Sequence, residues 1–219
     1  GLDVYSQITQ ISGYGWGFAA PGLRANIGKF VIFSAEYRRQ SDQFLYGFYN
    51  STYEFERAIY SGGQIITKQQ TLLGIQNAMN GYFAGLNINL AGLAFVDFKY
   101  SDMIDEKNSD HIRTLKGELT VKEGLIPKIS TAKGYYLQNN VTDFREWMTP
   151  QTIMGFVMET DMSGMKIGFD YRWNFADGNG NGRIDKADEL GELDKPEILK
   201  SINVITKISL SRQLPILRI

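Results

Sequence analysis

From Lys166 to Phe175 the chain alternates strictly. Ile167, Phe169, Tyr171, Trp173 and Phe175 fall at one parity, and Lys166, Gly168, Asp170, Arg172 and Asn174 at the other. Side chains of a strand point alternately to opposite faces, so the segment predicts a strand with one wet face and one face of large apolar groups. That apolar face must be covered by protein or by lipid. The pattern recurs along the chain. Gly13 to Phe18 sets glycines against Tyr14, Trp16 and Phe18, and Met154, Phe156 and Met158 share a face opposite Glu159. Leu115, Leu119 and Val121 oppose Lys116, Glu118, Thr120 and Lys122, while Ile202, Val204, Ile208 and Leu210 oppose Ser201, Asn203, Lys207 and Ser209.

These periods predict an antiparallel meander, with strands at roughly 2–11, 13–20, 25–39, 52–60, 65–76, 81–90, 92–101, 111–123, 127–139, 151–161, 164–176 and 199–212. Leu90-Ala91-Gly92, Lys122-Glu123-Gly124-Leu125 and Asp161-Met162-Ser163-Gly164 read as tight reversals, each with a glycine free to take positive φ. Longer polar connections at 102–110, 140–150 and 177–198 alternate with these turns, which puts short turns on one rim and long loops on the other. The stretch from Gln40 to Asn80 has the weakest pattern. Thr67 to Met79 fits a short amphipathic helix and a strand with polar faces equally. In strand 127–139, Lys133 shares a parity with Ile129, Tyr135 and Leu137, a misfit to the alternation. Asp194-Lys195-Pro196-Glu197 has the spacing of a helix cap and predicts a short helical turn over 195–200. No internal repeat beyond the hairpin rhythm is evident.

A soluble sandwich also alternates, but it keeps mainly aliphatic groups inside and polar groups outside. A transmembrane barrel inverts this, with apolar side chains facing lipid, polar ones facing the lumen, and aromatics gathered near the interfaces. The aromatic share of 13%, with 12 Tyr and 13 Phe, favours the inverted arrangement. Mean hydropathy is −0.24, which a barrel accommodates because half of each strand faces a polar lumen. No run approaches the ~18 apolar residues of a membrane helix. Net charge is −1, so no basic footprint for nucleic acid is present. There is no cysteine, which excludes disulfides and thiolate metal sites and suits an oxidising compartment. Gly1 opens directly into Leu2-Asp3-Val4-Tyr5, so no signal peptide is read and an exported protein is expected in mature or trimmed form.

In these features the chain resembles bacterial outer-membrane β-barrel proteins as a broad class. The resemblance implies an all-β fold, an antiparallel meander transmembrane β-barrel of about 8–12 strands with long loops on one rim. It implies a single barrel domain over 1–219, with a loop insertion at 177–198, in the bacterial outer membrane. Membrane lipid is the expected partner, together with other outer-membrane or surface proteins. The implied role is non-enzymatic: a small-solute pore, an anchor or a structural surface component.

One motif is sharp. In Asp177-Gly178-Asn179-Gly180-Asn181-Gly182-Arg183-Ile184-Asp185-Lys186-Ala187-Asp188, oxygen side chains fall at positions 1, 3, 5, 9 and 12 of a calcium loop, with glycine at 6. Calcium takes six to eight oxygens, and this spacing converges alternate side chains on one point. The segment resembles EF-hand loops, and more closely the dockerin-type variant in which Asp closes the loop. The resemblance makes Asp177, Asn179, Asn181, Asp185 and Asp188 side-chain ligands of one Ca²⁺ and gives Arg183 a carbonyl contact. Asp188 stands where Glu is usual, and the incoming element is a strand where an EF-hand has a helix. With two Asn among the ligands the site is expected to be weak, at ~10⁻⁴–10⁻³ M. Its role would be to rigidify a loop.

Other candidates carry less. His111 is the only histidine, in Ser109-Asp110-His111, and reads as an exposed loop residue. Lys116, Glu118, Lys122, Lys133, Glu159, Lys166, Asp170, Arg172 and Lys207 are candidate lumen residues. Their mixed signs point to a salt-bridged, side-chain-filled interior more than to an open channel. Leu214 to Ile219 reads as an edge extension or a partner contact. Two other functions stay open: a soluble exported adhesin or carbohydrate-binding module stabilised by calcium, and a barrel enzyme using His111 or a carboxylate pair.

Overall fold

The computed structural model describes residues 1–49, 53, 57–61, 64–162, 165–176, 184 and 197–208. In chain order the elements are β1 (Leu2–Gln10), β2 (Trp16–Ile27), β3 (Val31–Gln40), β4 (Ala58–Ser61), β5 (Gln64–Thr67), α1 (Lys68–Gly74) and β6 (Met79–Leu90). There follow β7 (Ala94–Asp105), β8 (His111–Val121), β9 (Ile129–Asn139), β10 (Thr152–Met162), β11 (Met165–Ala176) and β12 (Glu197–Ile208). Ten strands form one antiparallel sheet in the order β1-β2-β3-β6-β7-β8-β9-β10-β11-β12, and β4 pairs only with β5. The fold is therefore an all-β antiparallel meander with little helix. The sheet is open: β1 and β12 are its edges, and among the described residues no ladder joins them.

Local chemistry accounts for most boundaries. The β6–β7 reversal runs through Ala91 and Gly92, at φ 53° and 72°. The side chain of Asn89 accepts the Gly92 N–H at 2.6 Å, which fixes the turn. Gly124 serves the β8–β9 reversal at φ 83°. Thr67 and Gln70 form a reciprocal capping box, so the ambiguous stretch after Thr67 is helical over Lys68–Gly74. The connections between β3 and β6, β7 and β8, and β9 and β10, and the paired ends Ala176 and Glu197, share one rim with the 11–15 turn; 28–30, 91–93, 122–128 and the paired ends Met162 and Met165 share the other.

Three expectations are corrected. The segments 13–20 and 25–39 are divided differently, as β2 and β3, because Pro21 does not end a strand. It falls where the β2–β3 register shifts between Ala19 and Gly22, and a residue without an N–H is tolerated at such a bulge. Gly28, at φ 62°, makes the true turn. Within the 52–60 candidate, only 58–60 of the described residues are strand, continued to Ser61. The helical turn expected over 195–200 is instead the start of β12, whose Glu197 to Lys200 pair with Ala176 to Trp173. Backbone bonding to a long neighbouring strand outweighs the local cap signal there.

Polarity divides the sheet by face. Asp170 and Arg172 are 4% and 3% exposed, whereas Phe169, the residue before them on the strand, is 45% exposed. On β1, Leu2, Val4 and Ile8 are 69%, 71% and 73% exposed. Leu23, Phe33, Tyr82, Phe98, Leu119 and Met158 are likewise exposed on other strands. Buried polar or charged residues include Glu36 and Gln40. The buried apolar cluster lies off the strands: Ile11, Phe44, Phe48 and Leu72 pack together, joined by Tyr14, Leu45, Tyr46 and Tyr53.

Candidate functional site: the polar face and its cavity

The buried face is organised by two copies of one arrangement. On β11 the sequence Asp170-Tyr171-Arg172 turns its first and third side chains inward, and Arg172 Nη2 contacts Asp170 Oδ2. From β9, two strands away, the Tyr135 hydroxyl donates to Asp170 Oδ1 at 2.9 Å and accepts from Arg172 Nε at 3.0 Å. Between them on β10 lies Gly155, the register partner of both Tyr135 and Arg172. A Cβ on Gly155 would stand 2.7 Å from the Tyr135 hydroxyl and 2.9 Å from Cζ, so only glycine lets the ring lie flat over the middle strand.

The second copy is Glu36-Tyr37-Arg38 on β3. Arg38 Nη2 and Nε lie 2.6 and 2.7 Å from Glu36 Oε2, and the Tyr5 hydroxyl on β1 donates to Glu36 Oε1 at 2.6 Å. Gly22 of β2 is the partner of Tyr5 and of Glu36, and a Cβ there would meet the Tyr5 ring at 2.5 Å. Each tyrosine thus bridges three strands. A buried carboxylate keeps its charge because a guanidinium and a hydroxyl satisfy it together.

Further along this face, Lys99 pairs with Asp97 at 2.6 Å, and Glu118 with Lys133 at 2.8 Å and Lys116 at 3.7 Å. Thr131 donates to Glu159 at 2.9 Å, and Lys166 lies 3.6 Å from Asp161. The misfit in β9 is thereby explained: Lys133, Tyr135 and Leu137 all face inward, where Lys133 meets Glu118, Tyr135 meets Asp170 and Leu137 is buried at the cavity. Lys122 does not join them, since it lies in the turn after β8. Lys207 stands opposite Lys166 in the backbone register of β11 and β12.

Toward the long-loop rim the face opens into a cavity of about 1420 Å³, lined from β1, β3 and β6 to β10. This face therefore combines paired charges with substantial open space. The 41–78 excursion lines part of it through Phe44 to Tyr49 and α1. Phe44 lies against Gly17, one of the inward glycines of the Gly13–Phe18 stretch. Gln40 donates to the Phe44 carbonyl at 2.8 Å and ties the excursion to the wall. Arg38 lies 3.9 Å over the Phe83 ring and 4.6 Å over that of Tyr46. Burial pushes the Tyr46 phenol up to about 12, against the opposing pull of the Arg38 charge.

His111 is the first residue of β8, and its Nδ1 lies 2.8 Å from Asp102 Oδ1. Arg113 Nε holds the other oxygen of that carboxylate at 3.2 Å, and Tyr100 approaches it at 3.4 Å. This is a rim ion-pair cluster, tied to its strand by a partner that adjacency in sequence did not reveal. The calcium-loop residues Asp177, Asn179, Asn181, Arg183, Asp185 and Asp188 lie outside the described residues. Among the described residues no group of three or more His, Cys, Asp or Glu could hold a metal.

Sequence reasoning named Lys116, Glu118, Lys133, Glu159, Lys166, Asp170 and Arg172 but missed Tyr5, Glu36, Arg38, Asp97 and Lys99. The recurring acid-Tyr-Arg tripeptide was the signal available for two of these.

No family model, curated protein or solved structure matches the chain.

Two outcomes test the bridging arrangement. Gly155→Val forces Tyr135 off the wall and lowers thermal stability by about 1–3 kcal/mol through overpacking. Gly134→Ala, whose new Cβ meets nothing within 4 Å, changes it by less than about 0.5 kcal/mol. Arg172→Met leaves Asp170 buried without its cation and costs about 3–5 kcal/mol; adding Asp170→Asn recovers part of that loss. Both series are read from unfolding midpoints.

Proposed function

We propose that this chain forms the wall of an integral β-barrel of the bacterial outer membrane, without enzymatic activity, which acts as a small-solute pore and surface anchor. The observation that carries the reading is the inverted polarity: charged side chains are buried on one face while large apolar ones stand exposed on the other. In water such an outer face is an aggregation surface; in hydrocarbon it is the expected one. The sheet strands run from 9 residues in β1 to 12 in β11, which suits the ~9–11 residues of a tilted membrane-crossing strand.

The outward aromatics add support. Trp16, Tyr37, Tyr82, Tyr136, Tyr171 and Trp173 stand in the part of each strand nearer the long-loop rim, whereas Leu23, Phe33, Leu119 and Phe169 stand nearer the other. Tyr171 and Trp173 meet edge to face at 4.6 Å, and Tyr37 and Tyr82 at 5.7 Å. Tyr and Trp favour the membrane–water interface, so this belt sets the long loops outside it. Closure through the β1 and β12 edges follows in this reading, because an unpaired edge in hydrocarbon costs several kcal/mol per exposed backbone group.

In the same reading the loop between Ala176 and Glu197 holds one weak calcium ion through Asp177, Asn179, Asn181, Asp185 and Asp188, with Arg183 contributing its carbonyl. The ladder that pairs Ala176 with Glu197 brings the two ends of this loop together. Bound calcium would stiffen the loop without entering the lumen.

The chain is expected in the detergent-extracted membrane fraction, migrating at a different apparent mass before and after heating; recovery in the supernatant without detergent would point to the soluble module instead. Phe169→Arg is expected to destabilise the membrane-inserted protein by about 2–4 kcal/mol near the bilayer midplane. In a soluble protein the same exposed position would tolerate the change. For calcium, the wild-type melting temperature should rise with added Ca²⁺, and Asp177→Ala should remove that rise; an unchanged rise in the variant refutes the ligand assignment.

A further inference from the structure

The charged pairs that lie along a single strand on the inner face share one direction, whereas the cross-strand pairs Glu118–Lys133 and Asp161–Lys166 do not follow it. Glu36 and Arg38 on β3, Asp97 and Lys99 on β7, Lys116 and Glu118 on β8, and Asp170 and Arg172 on β11 are each separated by one residue on a single strand. β3, β7 and β11 run toward the long-loop rim and β8 runs away from it. In all four pairs, therefore, the cation lies nearer the long-loop rim and the carboxylate nearer the short-turn rim. An arrangement serving stability alone has no reason to share one polarity.

The cavity reads this polarity directly. Arg38, Lys99 and Lys116 line it, while their partners Glu36, Asp97 and Glu118 do not. Lys99 and Lys116 are also direct register partners, as are Asp97 and Glu118 in the rung that follows. Like charges directly opposite on neighbouring strands repel, and crossing the signs within each rung would have removed that repulsion. Instead two lysines are register partners that both line the open space, each paired to the carboxylate below it, with Arg38 held in place by the Phe83 and Tyr46 rings. The carboxylates in the lining, Asp105 and Asp110, belong to the rim end of β7 and the connection beyond it.

We propose that the floor of this cavity, centred on Lys99 and Lys116, binds a small multivalent organic anion. Two or more oxygens of one carboxylate-bearing solute would relieve the lysine repulsion and form charge-assisted hydrogen bonds to both ammonium groups. The inference rests on the reading of this face as a barrel lumen and supplies the class of solute.

The test uses the full chain folded in detergent micelles, with citrate as the probe and calorimetry as the readout. Wild type should show saturable binding that weakens as salt is raised, because these charges are partly exposed. Lys99→Gln together with Lys116→Gln should weaken citrate binding by roughly tenfold or more, the loss expected for removing charge-assisted contacts. Lys99→Gln alone, at a half-exposed side chain, is the variant least able to disturb folding and should weaken binding in the same direction. Heat-dependent gel migration verifies that each variant is folded. No saturable citrate binding by wild type, or equal binding by a folded variant, overturns the proposal. Planar-bilayer conductance, measured in parallel, reports on the pore. Conductance without citrate binding sinks the anion site and leaves the pore standing, and citrate binding without conductance does the reverse.

Discussion

Everything in this fold depends on how buried charge is made tolerable. An isolated carboxylate on the inner face would be neutralised or would pull in water. Here Asp170 and Glu36 are each held by an arginine two residues along the same strand and by a tyrosine hydroxyl from two strands away. The tyrosine reaches that far only because the strand between carries glycine. The buried pairs are therefore also braces: each ties three strands together on the buried face, where backbone bonds alone tie only neighbours. A core of aliphatic groups, the usual solution, is replaced by polar bridges, and the aliphatic and aromatic groups are released to the other face.

The same economy of side-chain volume places the 41–78 excursion. Phe44 rests on Gly17 as Tyr135 rests on Gly155, so an inward glycine is what admits an aromatic ring to the wall in both cases. The small apolar cluster around Phe44, Phe48 and Leu72 then closes over Ile11 from the first turn of the sheet. The cavity is left between this cluster and the paired charges below. It is bounded by a hydrophobic cluster at one end and by ion pairs at the other, which is why open space persists over a polar face.

Much of this was legible in the residues. β6 to β11 were readable because an alternation of period two with aromatics on one side admits a single strand phase, and a slip of one residue would reverse every face. The inward charges of β8, β10 and β11 followed from the same phase, while Asp97 and Lys99 on β7 did not stand out. β2 and β3 were harder. Pro21 masks a continuous strand, and Val31, Ile32 and Phe33 form an unbroken apolar run that hides the parity of Glu36 and Arg38. The brace itself was invisible, since its tyrosine and its acid are far apart in sequence. Lys133 and Tyr135 looked like errors of pattern for the same reason. The helical signal at 194–197 was genuine but local, and twelve consecutive register pairs with β11 outweighed it.

The meander also has a kinetic consequence. Nearly all pairing joins strands adjacent in the chain, so each hairpin closes at little entropic expense and can zip onto the last. The junction of β3 with β6 is the exception, because residues 41–78 must be looped out before Val31 can find Ile88. The three strands before this excursion and the seven after it can each pair locally, and joining the two groups carries the largest loop-closure cost of any ladder in the sheet.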